Sequence, residues 1–254
     1  MSVAEPAARG FGAAADLYEA RRPSYPEEAV RWLVVELGIE RSSRVVDVGA
    51  GTGKLTRQLV AHRVAVVGVE PLAAMCTQFR GAVDAPILQG VAEAIPVRTG
   101  SADAVVVAQA FHWFDVVPAL SEFHRVLRPE GGLALIWNMR DERTDWIARL
   151  GDIRRRYGDI RYDTGQWRHP VESSTLFENR LERQFQHEQV LDPTGVVELM
   201  ASRSFIAALP FEENQAVREE VRQLLSTHPD TRGREQLRVP YRTDVYVAMR
   251  TGQP

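Results

Sequence analysis

Short apolar runs along this chain alternate with segments whose apolar residues return every three or four positions. The runs are four to seven residues long and almost unbroken, as in parallel strands that are buried on both faces. Between them, Val30, Leu33, Val34 and Leu37 have helical spacing. Such alternation over residues 30–138 predicts a parallel, doubly wound α/β sheet with helices on both faces. The predicted strands are 44–48, 64–69, 86–89, 102–108 and 133–137.

The second half of the chain has a different pattern. Residues 139–180 contain many charged residues with scattered aromatic residues, which predicts a helical insertion or lid too polar to build a core of its own. After it we expect a strand at 185–190, helices at 194–208 and 211–227, and a last strand at 241–249. The predicted organisation is therefore a core with an N-terminal lid segment (1–138), a helical insertion that covers the substrate (139–184) and a C-terminal part that completes the sheet (185–254).

Composition limits the cellular compartments and the classes of binding partner that we expect. The 254 residues carry a net charge of −3, which gives no electrostatic reason to expect nucleic acid or an anionic membrane as a partner. The single cysteine, Cys76, fits a reducing compartment. No run approaches the roughly 18 apolar residues of a membrane-spanning helix, and the first ten residues lack the apolar segment of a signal peptide. We therefore expect a cytoplasmic protein.

The most informative segment is VVDVGAGTGKL at residues 45–55, a strand followed by a glycine-rich turn and the start of a helix. Glycine lets a backbone approach a ligand closely, and ligands of open α/β sheets bind at this edge. A dinucleotide fingerprint would need a third glycine where Lys54 stands, and a phosphate-binding loop would need glycine at Val48 and Ser or Thr at Leu55. Both nucleotide patterns therefore fail.

The remaining pattern, G-x-G-x-G after the acidic strand residue Asp47, resembles motif I of the class I S-adenosylmethionine methyltransferases. That resemblance implies a Rossmann-like sheet of seven strands, mostly parallel, whose last strand is antiparallel. It also implies that S-adenosylmethionine is the methyl donor and S-adenosylhomocysteine the product. The cofactor-binding residues expected in this motif are Asp47, Gly49, Ala50, Gly51 and Thr52. Asp47 could instead be a hydrogen-bonded turn residue.

Two further acidic residues are candidates for cofactor binding. Glu70 ends the second predicted strand about 20 residues after the glycines, where an acid can accept hydrogen bonds from ribose hydroxyls. Pro71, the next residue, is a further candidate for cofactor binding. Glu70 could equally cap the helix that begins at Pro71, and it does not by itself separate S-adenosylmethionine from NAD. Residues 90–96 resemble motif II of the same family, which implies that Ala92 and Glu93 lie beside the adenine edge. The alternative is a surface loop with one exposed acid.

Two aromatic segments extend the resemblance. The run QAFHWFD at 109–115 resembles the type 11 methyltransferases, most closely a subgroup that includes trans-aconitate methyltransferase-like proteins. This implies that Gln109 or its backbone touches the methionine end of the cofactor, that Ala110 also binds the cofactor, and that His112 and Trp113 face cofactor or substrate. In the same subgroup a Tyr…Arg-Pro-x-Tyr-Pro segment covers the cofactor, which here implies roles for Tyr18 and Arg22. Packing of the aromatic residues and His112, and a solvated N-terminal arm, are the alternatives.

The expected activity is methyl transfer to a small molecule, with O-methylation of a carboxylate favoured. A carboxylate needs no base, whereas a hydroxyl would need one, and His112 is the candidate for that role. Zinc-binding motifs are absent, so no metal is expected. The Asn-Pro-Pro-Tyr tetrad of amine-directed DNA methylases is also absent. Two alternatives remain: a regulatory or degenerate module that binds S-adenosylmethionine without turnover, and an NAD-dependent oxidoreductase.

Overall fold

A computed structural model describes residues 22–157 and 168–252. Within these ranges no helix is long and apolar enough to cross a lipid bilayer. The strands are β1 (Arg44–Val48), β2 (Ala65–Glu70), β3 (Ile87–Gln89), β4 (Ala102–Ala108), β5 (Leu127–Arg140), β6 (Phe177–Leu191) and β7 (Leu237–Arg250). The helices are α1 (Glu27–Glu36), α2 (Lys54–Ala61), α3 (Ala73–Ala82), α4 (Val116–Val126), α5 (Asp145–Arg156), α6 (Arg168–Ser173), α7 (Pro193–Ala201), α8 (Ser204–Ala207) and α9 (Phe211–Thr227).

All seven strands form one sheet, in the order β3-β2-β1-β4-β5-β7-β6. The pairs from β3 to β5 are parallel, and β7 runs antiparallel to both of its neighbours. The predicted fold, a mostly parallel sheet of seven strands with an antiparallel last strand, is therefore confirmed. The strand order reverses between β1 and β4, so a crevice opens at their carboxyl ends, where open α/β sheets bind ligands.

Alternate residues of the central strands face two separate apolar cores. Val45 and Ile136 face the side covered by α1 and α2, whereas Val46 and Leu135 face the side covered by α4. The apolar runs of the sequence reflect this double burial. Helix α6 also packs on the α4 side, through the fully buried Val171.

A third apolar cluster lies at the carboxyl end of β5. Helices α5, α7, α8 and α9, here called the cap, share it with Leu237, Val239 and Tyr241 of β7. Helix α5 of the polar 139–180 segment contributes apolar residues to this shared cluster and does not form a core of its own. Its Ile147 and Leu150 are at most 1% exposed, because they pack against helices from the last third of the chain.

The observed strands are longer than predicted in the second half of the sheet. The residues before 133, where the predicted fifth strand begins, form a bulge inside β5, where the pairing with β4 shifts register and Glu130 has a φ of 68°. Strand β6 begins at Phe177, so the helical part of 139–184 ends earlier than expected. Because β6 is an edge strand with most of its residues exposed, it lacks the alternation of apolar and polar residues from which a strand is predicted. The division into three parts stays a prediction.

Candidate active site

The glycine turn between β1 and α2 has three residues with left-handed backbone conformations. Gly49, Gly51 and Gly53 have φ values of 69°, 56° and 84°, a region that favours glycine. A Cβ atom at Gly49 would come within 2.6 Å of Ala110 Cβ, and one at Gly53 within 2.5 Å of Val83 Cγ2. At Gly51 no described atom lies within 4 Å of such a Cβ. The first and third glycines therefore permit close packing, whereas Gly51 leaves open space against which a ligand can lie.

Glu70 holds this turn in place. Its Oε2 accepts a hydrogen bond from the Gly51 backbone N–H (3.0 Å), and its Oε1 accepts one from the N–H of Leu72, just before α3 (3.0 Å). The side chain is almost fully buried, and this desolvation raises its pKa despite the two hydrogen bonds. Glu70 therefore has the structural role that was the alternative to ribose binding. Each oxygen keeps a second acceptor position, so ribose binding stays a prediction.

Asp47 lies below the turn and is fully buried. Its Oδ2 accepts a hydrogen bond from the Thr56 hydroxyl (2.5 Å), whereas Oδ1 has no hydrogen-bond partner within the described ranges. Burial raises the pKa of Asp47 to about 7, and the nearby negative charge of Glu70 adds to the effect. A buried carboxyl group of this kind is stabilised in its ionised form when positive charge arrives beside it.

An apolar pocket lies on the Glu70 side of the turn. Pro71, Leu72 and Met75 form one wall, and Trp113 and Phe114 form another. Flat apolar surfaces above a buried carboxylate suit an adenosine group, whose base is aromatic and whose ribose donates hydrogen bonds. Sequence reasoning identified Pro71 and Trp113 but missed Leu72, Met75 and Phe114, although Leu72 directly follows Pro71 and Met75 lies four positions after it.

Residues 22–26, here called the strap, cross the other side of the turn. The Gln58 side chain of α2 fastens the strap at Tyr25, because Nε2 donates to the Tyr25 carbonyl (2.7 Å) and Oε1 accepts from the Tyr25 N–H (3.1 Å). Asn138 of β5 holds the strap at Ser24, because its side-chain amide donates to the Ser24 carbonyl. Arg22 of the strap thereby lines a narrow cavity with Ala50 and Thr52 of the turn. The predicted contact of Tyr18 lies outside the described residues.

This set of groups fits S-adenosylmethionine. The apolar pocket would hold the adenine, Glu70 would accept from the ribose, and Arg22 would pair with the methionine carboxylate. Gln109 lines both regions, whereas Ala110 lines only the apolar pocket. Their expected contacts with the cofactor stay predictions.

A larger cavity of about 470 Å³ continues from the cleft toward the cap. Gln109, Asn138, Gln184 and Gln186 contribute its neutral polar lining. Its charged lining consists of six arginines and two acids, an excess of positive charge that favours an anionic ligand. These charged residues are Arg22, Arg140, Asp141, Glu142, Arg143, Arg154, Arg203 and Arg242.

Arg154 of α5 is the most deeply buried of these arginines, with 5% of its side chain exposed. Its Nη2 lies 3.6 Å from Glu142 Oε1, and Glu142 also forms an ion pair with Arg155. Arg143 is the opposite case, with 74% of its side chain exposed and an ion pair to Asp141 at 2.5 Å. Arg154 therefore presents a buried positive charge from the cap to the cavity.

Besides Asp47, which is buried below the turn, three predicted site residues are absent from the described linings of these cavities. Ala92 is buried in the core on the α4 side, and Glu93 accepts from the Asp115 N–H (2.7 Å) just before α4. His112 lies in a short 3-10 helix (Phe111–Trp113), with its ring centroid 4.8 Å from that of Trp113. The expected contacts of these three residues with cofactor or substrate stay predictions.

Comparisons with known proteins agree with this geometry. A family model described as a methyltransferase domain matches residues 46–135. An uncharacterized methyltransferase of Mycobacterium tuberculosis is 42% identical over 234 residues, which is 92% of each chain. An uncharacterized methyltransferase-like protein of Schizosaccharomyces pombe is 33% identical and covers 89% of this chain and 90% of its own length.

Solved structures share the fold at lower identity. A candidate type II methyltransferase from Anaeromyxobacter dehalogenans aligns with a TM-score of 0.64 at 24% identity, over 90% of this chain and 96% of its own. The [4+2]-cyclase SpnF aligns with a TM-score of 0.59 at 13% identity, over 96% and 95% of the two chains. Because a cyclase shares this fold, the fold alone does not identify a reaction.

Proposed function

The chain belongs to the S-adenosylmethionine-dependent methyltransferases, and from that premise we propose that it methylates a small anionic acceptor, with a carboxylate oxygen as the nucleophile. The observation that carries this proposal is the arginine-lined cavity beside the cofactor cleft. Neither the NAD-dependent oxidoreductase nor the module without turnover gains support from the related proteins. The net charge of −3 supports a small-molecule acceptor over nucleic acid, and the single cysteine supports a cytoplasmic location.

The cofactor would be held by three regions around the glycine turn. The backbone from Gly49 to Thr52 would follow it, Glu70 would accept from its ribose, and Arg22 would pair with its methionine carboxylate. The positive charge of the bound cofactor would stabilise the ionised form of Asp47, which lies below the turn. Tyr18, Pro71, Ala92, Glu93, Ala110 and Trp113 complete the proposed cofactor site.

The sign and position of the charges support an anionic acceptor. Six arginines face two acids around one cavity, and a carboxylate there would gain bidentate, charge-assisted hydrogen bonds. Arg154 is the strongest candidate for an anchor, because little water screens a side chain that is 5% exposed. A neutral or cationic acceptor would gain nothing from this excess of arginines over acids.

When bound, S-adenosylmethionine supplies an electrophilic methyl group: the acceptor oxygen bonds to the methyl carbon as the carbon–sulfur bond breaks, and the electron pair stays on sulfur. This chain's residues orient the acceptor and exclude water from the cleft. A carboxylate is already ionised at neutral pH, so no residue has to remove a proton. If the acceptor is instead a hydroxyl compound, His112 is the candidate general base.

Radiolabelled methyl transfer tests the proposal. The enzyme is incubated with S-adenosylmethionine and a panel of mono- and dicarboxylic acids, matched alcohols and amines, and a cell extract. We expect label in base-labile methyl esters, and we expect Arg154→Gln to raise the acceptor KM about 10- to 100-fold, as for loss of a charged hydrogen bond. Arg154→Lys keeps the charge and should retain part of the affinity.

The matched control is Arg143→Gln, which removes the same charge from an exposed, ion-paired side chain of the same cavity. It should change KM by less than about threefold, because exposed ion pairs contribute little. Label found only in neutral alcohols or amines would contradict an anionic acceptor. Equal effects of the two substitutions would contradict the role of Arg154.

A further inference from the structure

A chain of hydrogen bonds, buried at Thr243 and partly buried at its two ends, joins the last two strands to the strap. The Thr243 hydroxyl of β7 donates to Asn138 Oδ1 of β5 (2.6 Å), and it lies 3.3 Å from His187 Nδ1 of β6. The Asn138 Nδ2 group donates to the Ser24 carbonyl of the strap (3.1 Å). Asn138 and Thr243 are directly opposite each other in the β5–β7 pair, so the strand register brings them together.

The direction of every hydrogen bond in this chain is determined. A backbone carbonyl only accepts, so Ser24 fixes the amide nitrogen of Asn138 on the strap side and its oxygen on the Thr243 side. Thr243 has one hydroxyl hydrogen, and it is used by Asn138. Its oxygen must therefore accept from His187 Nδ1–H, which assigns the tautomer of that ring.

Asn138 also contacts Gln109 at the end of β4. Its backbone carbonyl accepts a hydrogen bond from Gln109 Nε2 (3.0 Å), and Gln109 has the left-handed φ of 56° that is rare for a residue with a side chain. Asn138 and Gln109 both line the cofactor cleft and the arginine cavity. The orientation of the Asn138 side-chain amide therefore bears on the strap and on the junction of the two cavities.

Thr243 is fully buried, and within the described part of the chain it is not in the lining of either cavity. It therefore acts on the site only through Asn138. We propose that Thr243 is a positioning residue: it fixes the Asn138 amide so that the strap, with Arg22, stays against the bound cofactor. This inference rests on the proposed function, because it concerns the same cofactor cleft.

The test compares Thr243→Val with Thr243→Ser. Valine keeps the shape and removes the hydroxyl, so the Asn138 amide loses one of the two groups that hold its orientation and keeps only the Ser24 carbonyl. We expect the Kd for S-adenosylhomocysteine to rise about tenfold, as for the loss of one hydrogen bond. Serine restores the hydroxyl and should keep the Kd within about twofold of the wild type. Calorimetry measures the Kd, and hydrogen exchange measures protection of the Tyr25 amide, which should fall only in the valine variant.

Thr231→Val is the matched control, because Thr231 is equally buried and its hydroxyl donates to the Leu225 carbonyl (2.8 Å), away from the strap. It should lower the melting temperature without changing the Kd. If Thr243→Val behaves like this control, its role is merely structural and the proposal is wrong. If Thr243→Val does not fold, Asn138→Asp is tested in its place. A carboxylate at this position still accepts from Thr243 but does not donate to Ser24. An unchanged Kd and unchanged protection of the Tyr25 amide would again refute the proposal. Failure of the wild type to bind S-adenosylhomocysteine would refute the proposed function instead.

Discussion

The buried carboxyl group of Asp47 makes the stability of this enzyme depend on pH in an unusual direction. Burial raises its pKa from an ordinary 3.8 to about 7, and the unfolded chain has the ordinary value. Between these two values the unfolded state is ionised and the folded state is protonated. Below the unfolded pKa of 3.8 this group does not change the free energy of unfolding. Between that pKa and the folded pKa of about 7 the free energy of unfolding falls as pH rises, and above about 7 it does not fall further.

The size of the effect follows from the two pKa values. One pKa unit corresponds to about 1.4 kcal/mol, so the loss is on the order of 2 kcal/mol at pH 5 and on the order of 4 kcal/mol at pH 8. Asp47→Asn removes the ionisation, while its amide oxygen can still accept from the Thr56 hydroxyl. We expect its stability advantage over the wild type to grow by about 2–3 kcal/mol between pH 5 and pH 8. Urea denaturation at both pH values measures this difference.

Asp103→Asn is the control for general effects of removing a buried acid. Asp103 is also largely buried, but it forms an ion pair with Arg128 (2.5 Å), so its loss should destabilise the fold. Parallel stability curves for the wild type and Asp47→Asn from pH 5 to pH 8 would refute the reasoning about burial. An Asp47→Asn protein that is less stable than the wild type at pH 8 would refute it as well.

Two further substitutions distinguish roles at the cofactor cleft. Glu70→Ala leaves the Gly51 and Leu72 N–H groups without their acceptor, so we expect the free energy of unfolding, measured by denaturation, to fall by about 2–4 kcal/mol. We also expect S-adenosylhomocysteine to bind about 10- to 100-fold more weakly, as measured by calorimetry. A loss of stability with unchanged affinity would leave only the capping role. For His112→Ala we expect a higher acceptor KM and a flat pH–rate profile, because a carboxylate acceptor needs no base. A kcat that falls about a thousandfold at unchanged KM, together with loss of the acid limb near the ordinary histidine pKa of about 6.5, would instead establish base catalysis.

Local sequence determined much of the fold and the cofactor cleft, because the relevant residues are close together along the chain. The glycine turn, Glu70 and the segment from Gln109 to Trp113 each follow a buried strand, and parallel strands bring their carboxyl ends to one edge. Patterns of this kind remain visible without knowledge of tertiary contacts. The structural role of Glu70 was visible only as one of two possibilities, because a cap and a ribose-binding acid occupy the same position.

The arginine cavity could not be read from the sequence, because its residues come from distant segments. The charges of ten arginines and nine acids between residues 140 and 184 almost cancel, so the sequence of this segment does not indicate a basic patch. The fold selects Arg140, Arg143 and Arg154 from that segment and adds Arg22, Arg203 and Arg242, while acids such as Asp152 remain at the surface. Average charge along a segment therefore says little about the charge around a cavity. The Thr243–Asn138 pair was hidden for the same reason, since 105 positions separate its members.

Strand β6 bears on how this protein behaves at high concentration. It is a 15-residue edge strand, and edge strands of that length offer backbone groups that can pair with another sheet and start aggregation. The exposed stretch carries Glu178, Arg180, Glu182 and Arg183, and Asn179 has a φ of 49° beside a break in register. Charged side chains and an irregular backbone both oppose sheet-to-sheet association. The same polarity that concealed this strand in the sequence thus protects the folded enzyme from polymerising through its open edge.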